Sequence, residues 1–322
     1  MPRAMAYLSG EFLPLEEATV PVWDYGIVQG ATVTDMVRTF HGEPFRLESH
    51  LARFDRSCQA LGIVLPEAQA QLAEIVGDLA GKTADLLGDG RDFGIVMFAT
   101  PGPYAAYSPF TTVRPLAIGS TEALAVRESV PNLRPTLCIH PFALSFSKFA
   151  EGYRDGIALA SPAVRHVPGS SIPPQVKYRS RLHWYLADRE VRRIDPDAAA
   201  LLLDEHGCVT ETNSGNLFAV VDNHLLIPRA ETTLAGISQA YVIELARASG
   251  LTSERIDMTP AFLATVHEVF LSSTTYCLLP VTRYDGQVIG DGQPGSIFTR
   301  LLAQWSEAVG VDIVGQARRF AA

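Results

Sequence analysis

Lysine is the scarcest charge in this chain: 322 residues hold only Lys82, Lys148 and Lys177, so almost all positive charge is arginine. Several other absences narrow the possibilities. No uninterrupted apolar run reaches the length of about 20 residues that a membrane-spanning helix needs. The four cysteines, Cys58, Cys138, Cys208 and Cys277, are scattered without metal-ligand spacing. That argues against a zinc site and for reduced thiols in a cytosol rather than a disulfide framework. A basic surplus is missing too: the net charge is −9, which speaks against nucleic acid as a partner, since phosphate binding draws on lysine and arginine. The N-terminal stretch breaks at Gly10 before any signal-peptide core could form. With 47% apolar and 19% charged residues, the composition is that of a soluble globular protein, expected in the cytoplasm. The length allows one large or two ordinary domains.

What is present reads as strands and helices without strict alternation. Residues 5–45 suggest short strands and turns. A helix is expected from Glu48 to Leu61, with Leu51, Phe54, Cys58 and Leu61 on one stripe and Gly62 ending it. Another is expected from Pro66 to about Leu87. Apolar strands follow at Phe93–Thr100, around 113–118 and around 136–142. Ser145–Tyr153 is the least regular stretch and the best candidate for a connection between domains. Beyond it come hairpins turning at 205–207 and 222–223, a helix from Ser238 to Ala248, a buried strand at Glu268–Ser272, a hairpin at Asp285-Gly286 and a last helix carrying Ile297, Leu301 and Trp305. Hairpin-joined strands with few helices between them point to an α+β protein in two domains: 1–143, a connection at 144–153, and 154–322.

Lys177 is expected to open a helix beginning near Gln175. Thirty-four residues later stands Glu211, after a strand and before small polar turn residues. Gly236-Ile237-Ser238 opens another helix, whose free N–H groups and dipole suit a phosphate. Ser272-Ser273-Thr274-Thr275 follows an apolar strand, and Arg53 lies off the apolar stripe of its helix. Separately, each has an ordinary structural explanation as a solvated lysine, a turn glutamate, a serine cap, a strand end or a surface arginine. Together they form an amine, an acid and two phosphate cradles in a fixed order. Pyridoxal 5'-phosphate needs that set: a Schiff-base lysine, a carboxylate for the pyridine nitrogen, and donors for the phosphate.

The order of these blocks resembles that of class IV aminotransferases. These are the fold-type IV pyridoxal-phosphate enzymes, which include branched-chain and D-amino-acid aminotransferases and 4-amino-4-deoxychorismate lyase. The resemblance begins at Asp24-Tyr25-Gly26 and runs through Pro44–Phe54, Lys177, Glu211–Phe218, Thr233–Ala246 and Glu268–Val281. It ends at Gly290–Gly295. It implies a small α/β domain, a connecting loop and a larger pseudo-barrel domain, paired in a homodimer that completes each pocket. It also implies that Lys177 is the Schiff-base lysine and proton shuttle and Glu211 the partner of the pyridine nitrogen. Arg53, Ile237, Ser238 and Thr274 would hold the phosphate, with Asn216 in support. No metal is implied.

The substrate side departs from the family pattern. Gln29 and Thr34 stand where branched-chain enzymes carry aromatics, Leu182 stands where they carry a tyrosine, and the Phe93–Gly102 strand lacks the arginines that grip substrate carboxylates. Gln29, Thr34, Ile95 and Thr275 are the candidate substrate residues. The apolar strand around Ile95, Met97 and Phe98 favours a small or branched apolar amino-acid donor, in exchange with a 2-oxo acid. A lyase of the aminodeoxychorismate type, or a D-amino-acid or amine transaminase, is the runner-up. Two hydrolase motifs fail on context. Gly236-x-Ser238-x-Ala240 lacks the preceding strand of a nucleophile elbow, and Ser145-x-x-Lys148 lacks its companion motifs.

Overall fold

A computed structural model describes residues 3–107 and 134–321. The strand expected around 113–118 lies outside the described residues. Among those residues the strands fall into two sheets.

The first sheet contains β1 (Met5–Leu8), β2 (Glu11–Pro14), β3 (Val33–Phe40), β4 (Glu43–Pro44), β5 (Phe93–Thr100) and β6 (Thr136–Ala143). Their order is β2-β1-β6-β5-β3-β4, antiparallel throughout. Side chains alternate between faces along a strand, so Val33, Val37, Ile95 and Met97 share one face. There they pack against Leu51 and Phe54 of the Leu47–Ala60 helix and Leu72 and Val76 of the Gln69–Leu87 helix. The opposite face carries Thr34, Met36 and Arg38 across from Phe98, Val96 and Gly94. This is the face turned toward the second sheet: Arg38 Nη1 donates to the Thr275 carbonyl at 3.0 Å.

The second sheet contains β7 (Ile157–Ala160), β8 (Ala198–Leu203), β9 (Val209–Thr212), β10 (Asn216–Val221), β11 (His224–Pro228), β12 (Thr252–Ile256), β13 (Glu268–Ser273), β14 (Cys277–Tyr284) and β15 (Gln287–Val288). Strands β10, β13, β14, β7, β8 and β9 follow one another, and β9 pairs back onto β10 through Glu211 and Asn216, closing a ring. Strands β11 and β12 extend from β10, and β15 from β14. The parallel pairs β7–β8 and β11–β12 require crossovers, supplied by the Leu182–Ile194 and Ile237–Ala248 helices. The architecture is α+β with a pseudo-barrel, as the sequence suggested.

Two expectations need correction. Ser145–Tyr153 is not irregular: Phe146–Asp155 is a helix. Its Phe146, Phe149 and Tyr153 recur at helical spacing, and the rings of Phe146 and Phe149 pack against Phe320 and Tyr276. Nor does Lys177 open a helix, which begins only at Leu182. Residues 177–179 are extended and pair with the start of β3: Thr34 N–H donates to the Lys177 carbonyl and Arg179 N–H to the Thr32 carbonyl, each at 2.8 Å. The strand pairing uses the backbone groups that a helix would have needed. An Ile313–Arg319 helix follows the Ser296–Val309 helix and was not foreseen.

Candidate active site

The extended conformation at Lys177 determines where the lysine points. Val176 and Tyr178 turn into the core of the first sheet, so the residue between them turns the other way. There Lys177 lines a cavity of about 190 Å³ together with Met36, Arg53, Arg181, Glu211 and Asn216. The remaining walls are the turns 212–215, 236–238 and 272–275. Ligand pockets commonly run from about 300 to 1,000 Å³, so this one suits a compact ligand. Among the described residues no hydrogen bond or ion pair holds Lys177 Nζ. Burial, reinforced by the Arg53 and Arg181 guanidinium groups and opposed by Asp35 and Glu211, lowers the amine to about 8. A substantial neutral fraction therefore exists near physiological pH, as a nucleophilic amine requires.

Glu211 is held from one side. Its Oε2 accepts Asn216 Nδ2 at 3.0 Å and Leu234 N–H at 3.1 Å. This leaves Oε1 for a ligand, with His166 Nε2 at 3.7 Å from it. Asn216 also donates to the Leu234 carbonyl at 3.0 Å, so one amide fixes both the carboxylate and the loop leading to the Ile237–Ala248 helix. That loop must pass close: a Cβ on Gly236 would lie 2.0 Å from Asn216 Oδ1.

The phosphate-type donors converge at the same cavity. Ile237 and Ser238 occupy the first turn of a 12-residue helix, where N–H groups have no intrahelical partner. Arg53 is 4% exposed, not the surface arginine that such a residue is by default. Its Nε and Nη2 form a bidentate pair with Asp35 at 2.7 and 2.8 Å, and Nη1 donates to the Ala235 carbonyl at 3.1 Å. His50 Nδ1 lies 2.8 Å from the same carboxylate. Burial would raise Asp35, but the Arg53 charge and hydrogen bonds, with His50, outweigh it and hold the carboxyl far below its ordinary range.

Lys177, Arg53, Glu211, Asn216, Ile237, Ser238, Thr274 and Thr275 thus surround one space. The other substrate candidates do not. Ile95 is 0% exposed in the helix-covered core, as is Met97, because odd-numbered β5 residues face the helices; Phe98 lies on the cavity side of the sheet, under the Arg179 guanidinium. Thr34 is buried and its hydroxyl donates to the Met97 carbonyl at 2.8 Å. Gln29 is solvent-exposed, next to Gly30, whose carbonyl accepts the Ser180 hydroxyl. Sequence reading had not singled out Asp35, His50, Ser57 or His166. Ser57 accepts Lys177 N–H at 3.1 Å and donates to the Arg53 carbonyl at 3.0 Å, linking the two. An aspartate within a strand that also carries Val33, Met36, Val37 and Phe40 was the available signal for Asp35.

The residues fit pyridoxal phosphate. The partnerless Lys177 amine suits its aldehyde, Glu211 Oε1 its pyridine nitrogen, and the open helix N-terminus its phosphate. Ser272 Oγ, buried in the cavity wall without a partner, is a polar atom that a bound group would satisfy. Among the described residues no group of His, Cys, Asp and Glu could hold a metal, and no helix is long and apolar enough to cross a membrane.

Residues 32–284 match the family model described as amino-transferase class IV. The chain is 27% identical over 303 residues to a D-alanine aminotransferase of Staphylococcus epidermidis, covering 94% of this chain and 96% of that one. It is 28% identical over 306 residues to branched-chain-amino-acid aminotransferase-like protein 1 of Arabidopsis thaliana, covering 93% of this chain and 49% of that longer protein. Among solved structures it superimposes on a branched-chain amino acid aminotransferase with pyridoxamine 5'-phosphate, at a TM-score of 0.79 and 26% identity over 95% and 94% of the two chains. With the match spanning well over half its length and groups that fit the cofactor gathered at one cavity, the chain belongs to the class IV aminotransferases and is a pyridoxal-phosphate-dependent aminotransferase.

Proposed function

We propose that this enzyme moves an amino group between a small or branched apolar amino acid and a 2-oxo acid, working as a cytoplasmic homodimer, with Lys177 as the base that takes the substrate's Cα proton. When bound, the cofactor supplies a conjugated electron sink for that carbon. The chain supplies the rest. Arg53, Ile237, Ser238 and Thr274 anchor the phosphate, Asn216 aims Glu211 at the pyridine nitrogen, and Lys177 stands ready to lift and return the proton. The single observation behind this reading is the partnerless, depressed amine of Lys177 facing Glu211 across the cavity.

The donor class is supported by the apolar Met36 in the cavity wall. The homodimer is supported by Leu182 and Tyr185, 68% and 62% exposed one turn apart on a helix that begins beside the cavity. The division into 1–143, 144–153 and 154–322 follows the gap between the two sheets, with the Phe146–Asp155 helix as the connection. Relatives named for branched-chain and for D-alanine substrates leave two stereochemical classes to separate.

A panel of L- and D-amino acids added singly to the cofactor-loaded enzyme tests the proposal. An apolar L-donor should bleach the cofactor's visible absorption in one stoichiometric turnover, and a 2-oxo acid should restore it. Bleaching by D-donors alone would overturn the substrate class. No bleaching by any amino acid, with turnover of aminodeoxychorismate to pyruvate, would favour the lyase reading.

Arg53→Ala should weaken cofactor binding by roughly 1.5–3 kcal/mol through loss of a charge-assisted phosphate contact. Titration of the folded variant with pyridoxal phosphate measures this, and unchanged affinity would remove Arg53 from the phosphate cup.

A further inference from the structure

A groove of about 630 Å³ lies outside the cofactor cavity and runs past Asp204, Glu205, His206, Glu231 and Asp257. His166 lines this groove and also a small cavity behind the site, which it shares with Lys177, Tyr178, Arg181 and Glu211. It is the one titratable side chain common to both spaces, and it is 6% exposed.

Its backbone and one ring nitrogen are both held. The backbone N–H donates to the Leu203 carbonyl at 2.9 Å. Nδ1 lies 3.0 Å from the Val167 carbonyl, and a carbonyl only accepts, so Nδ1 carries a hydrogen. Nε2 is therefore the position that gains or loses a proton, and it stands 3.7 Å from Glu211 Oε1. This is the oxygen that Asn216 and Leu234 leave free, and the one a pyridinium N–H would take.

We propose that His166 is a positioning residue that carries a proton beside Glu211 Oε1 in the empty site and releases it to the outer groove when the cofactor's pyridinium takes that oxygen. The inference rests on the cofactor-binding role proposed for Glu211. The exchange balances: one N–H cation replaces another beside a single carboxylate, and one proton leaves to solvent from Nε2.

The surroundings support this direction. Burial would lower His166, but the nearby Glu211 carboxylate, the Val167 carbonyl and Asp204 outweigh it and raise it above an ordinary histidine. On the inner side Lys177, Tyr178 and Arg181 share its cavity and His183 packs on its ring, and on the outer side Glu205, His206, Arg229, Glu231 and Asp257 line the groove with it. Burial, with the charges of His166 and Arg181, holds His183 down to about 4, so near neutrality His183 is uncharged and does not compete for the proton. The rings of His183 and Trp184, 5.7 and 5.9 Å away, close the remaining sides.

The test is an NMR pH titration of the histidine ring signals of the whole enzyme, empty and loaded with pyridoxal phosphate. The His166 signal is identified by its loss in H166Q, or in H166N should H166Q not fold. Its midpoint should fall by roughly one pH unit or more on loading, as opposite-charge contacts of this kind shift pKa values by about 1–3 units. It should fall similarly in empty E211Q. Loading near pH 7 in buffers of different ionisation enthalpy should release more protons from wild type than from H166Q. A His166 midpoint that stays put in protein that has taken up the cofactor overturns this inference alone. A midpoint that falls on loading but not in E211Q means that the proton is not tied to Glu211, and also overturns it. Failure to take up pyridoxal phosphate would overturn the cofactor site itself, and with it this proposal.

Discussion

Replacing Lys177 by alanine is expected to lower amino transfer on the order of 10⁴-fold, because it removes both the nucleophile and the positioned base. The fold should survive. Backbone groups of residue 177, not its side chain, pair with Ser57 and Thr34. The variant should keep its circular dichroism spectrum and still bind pyridoxal phosphate reversibly through Arg53 and the helix N-terminus. Borohydride reduction followed by peptide mapping locates the linkage in the wild type. Lys82 lies over the Phe12 ring, 3.9 Å from Asp78, and neither it nor Lys148 lines the cavity. Labelling of either one instead of Lys177 would sink the assignment. Because the Lys177 amine sits at about 8, the rate of covalent cofactor capture should climb with pH through that region.

Asp35→Ala should cost the folded state about 3–5 kcal/mol, since it leaves the Arg53 charge buried without its partner. The effect is expected to be larger than for most core truncations of similar size, and cofactor affinity should fall as well because Arg53 loses its orientation. Urea denaturation monitored by tryptophan fluorescence gives the number. A loss below about 1 kcal/mol would show that the pair is not energetically important. The D35A/R53A double variant should recover part of the stability, as it removes the stranded charge. The pH dependence has a definite sign. The folded-state pKa of Asp35 is depressed, so the stabilisation is complete above its unfolded value near pH 4. It drains away as pH falls toward the folded value.

Much of this was legible before any coordinates. The helix over Leu47–Ala60 could be read from the spacing of Leu51, Phe54 and Cys58, and the hairpins from Glu205-His206-Gly207 and Asp222-Asn223. The candidate cofactor residues stood out as ordered blocks, because each keeps a local backbone setting: a helix mouth at Ile237, a turn at Thr274, a strand end at Glu211. What escaped was long-range pairing. Nothing in Gln175–Arg181 itself reveals that its backbone is taken by β3, so the segment read as a helix start. Asp35 and Arg53 are 18 residues apart on a strand and a helix, and only the packing of one on the other brings them together. The burial of Ile95 on the helix side escaped for a related reason. An apolar strand shows that both faces are covered but not which face meets the cavity, and here Met36 and Arg38 on β3 mark the other one.

Strand β3 is a two-sided strip. Asp35 faces the helices and holds Arg53, the proposed phosphate ligand, while its neighbours Thr34 and Met36 lie on the cavity side. On the proposed function, cofactor retention and substrate choice are written on alternate letters of the same short word. On that reading, Met36 can change without disturbing the grip on the cofactor. The reading frame is what cannot drift: a single inserted residue ahead of Asp35 would exchange the two sides at once. The scaffold is thus permissive to substitution and brittle to insertion at the same place, a combination that would let one ancestral framework diversify its donors while its cofactor chemistry stayed locked.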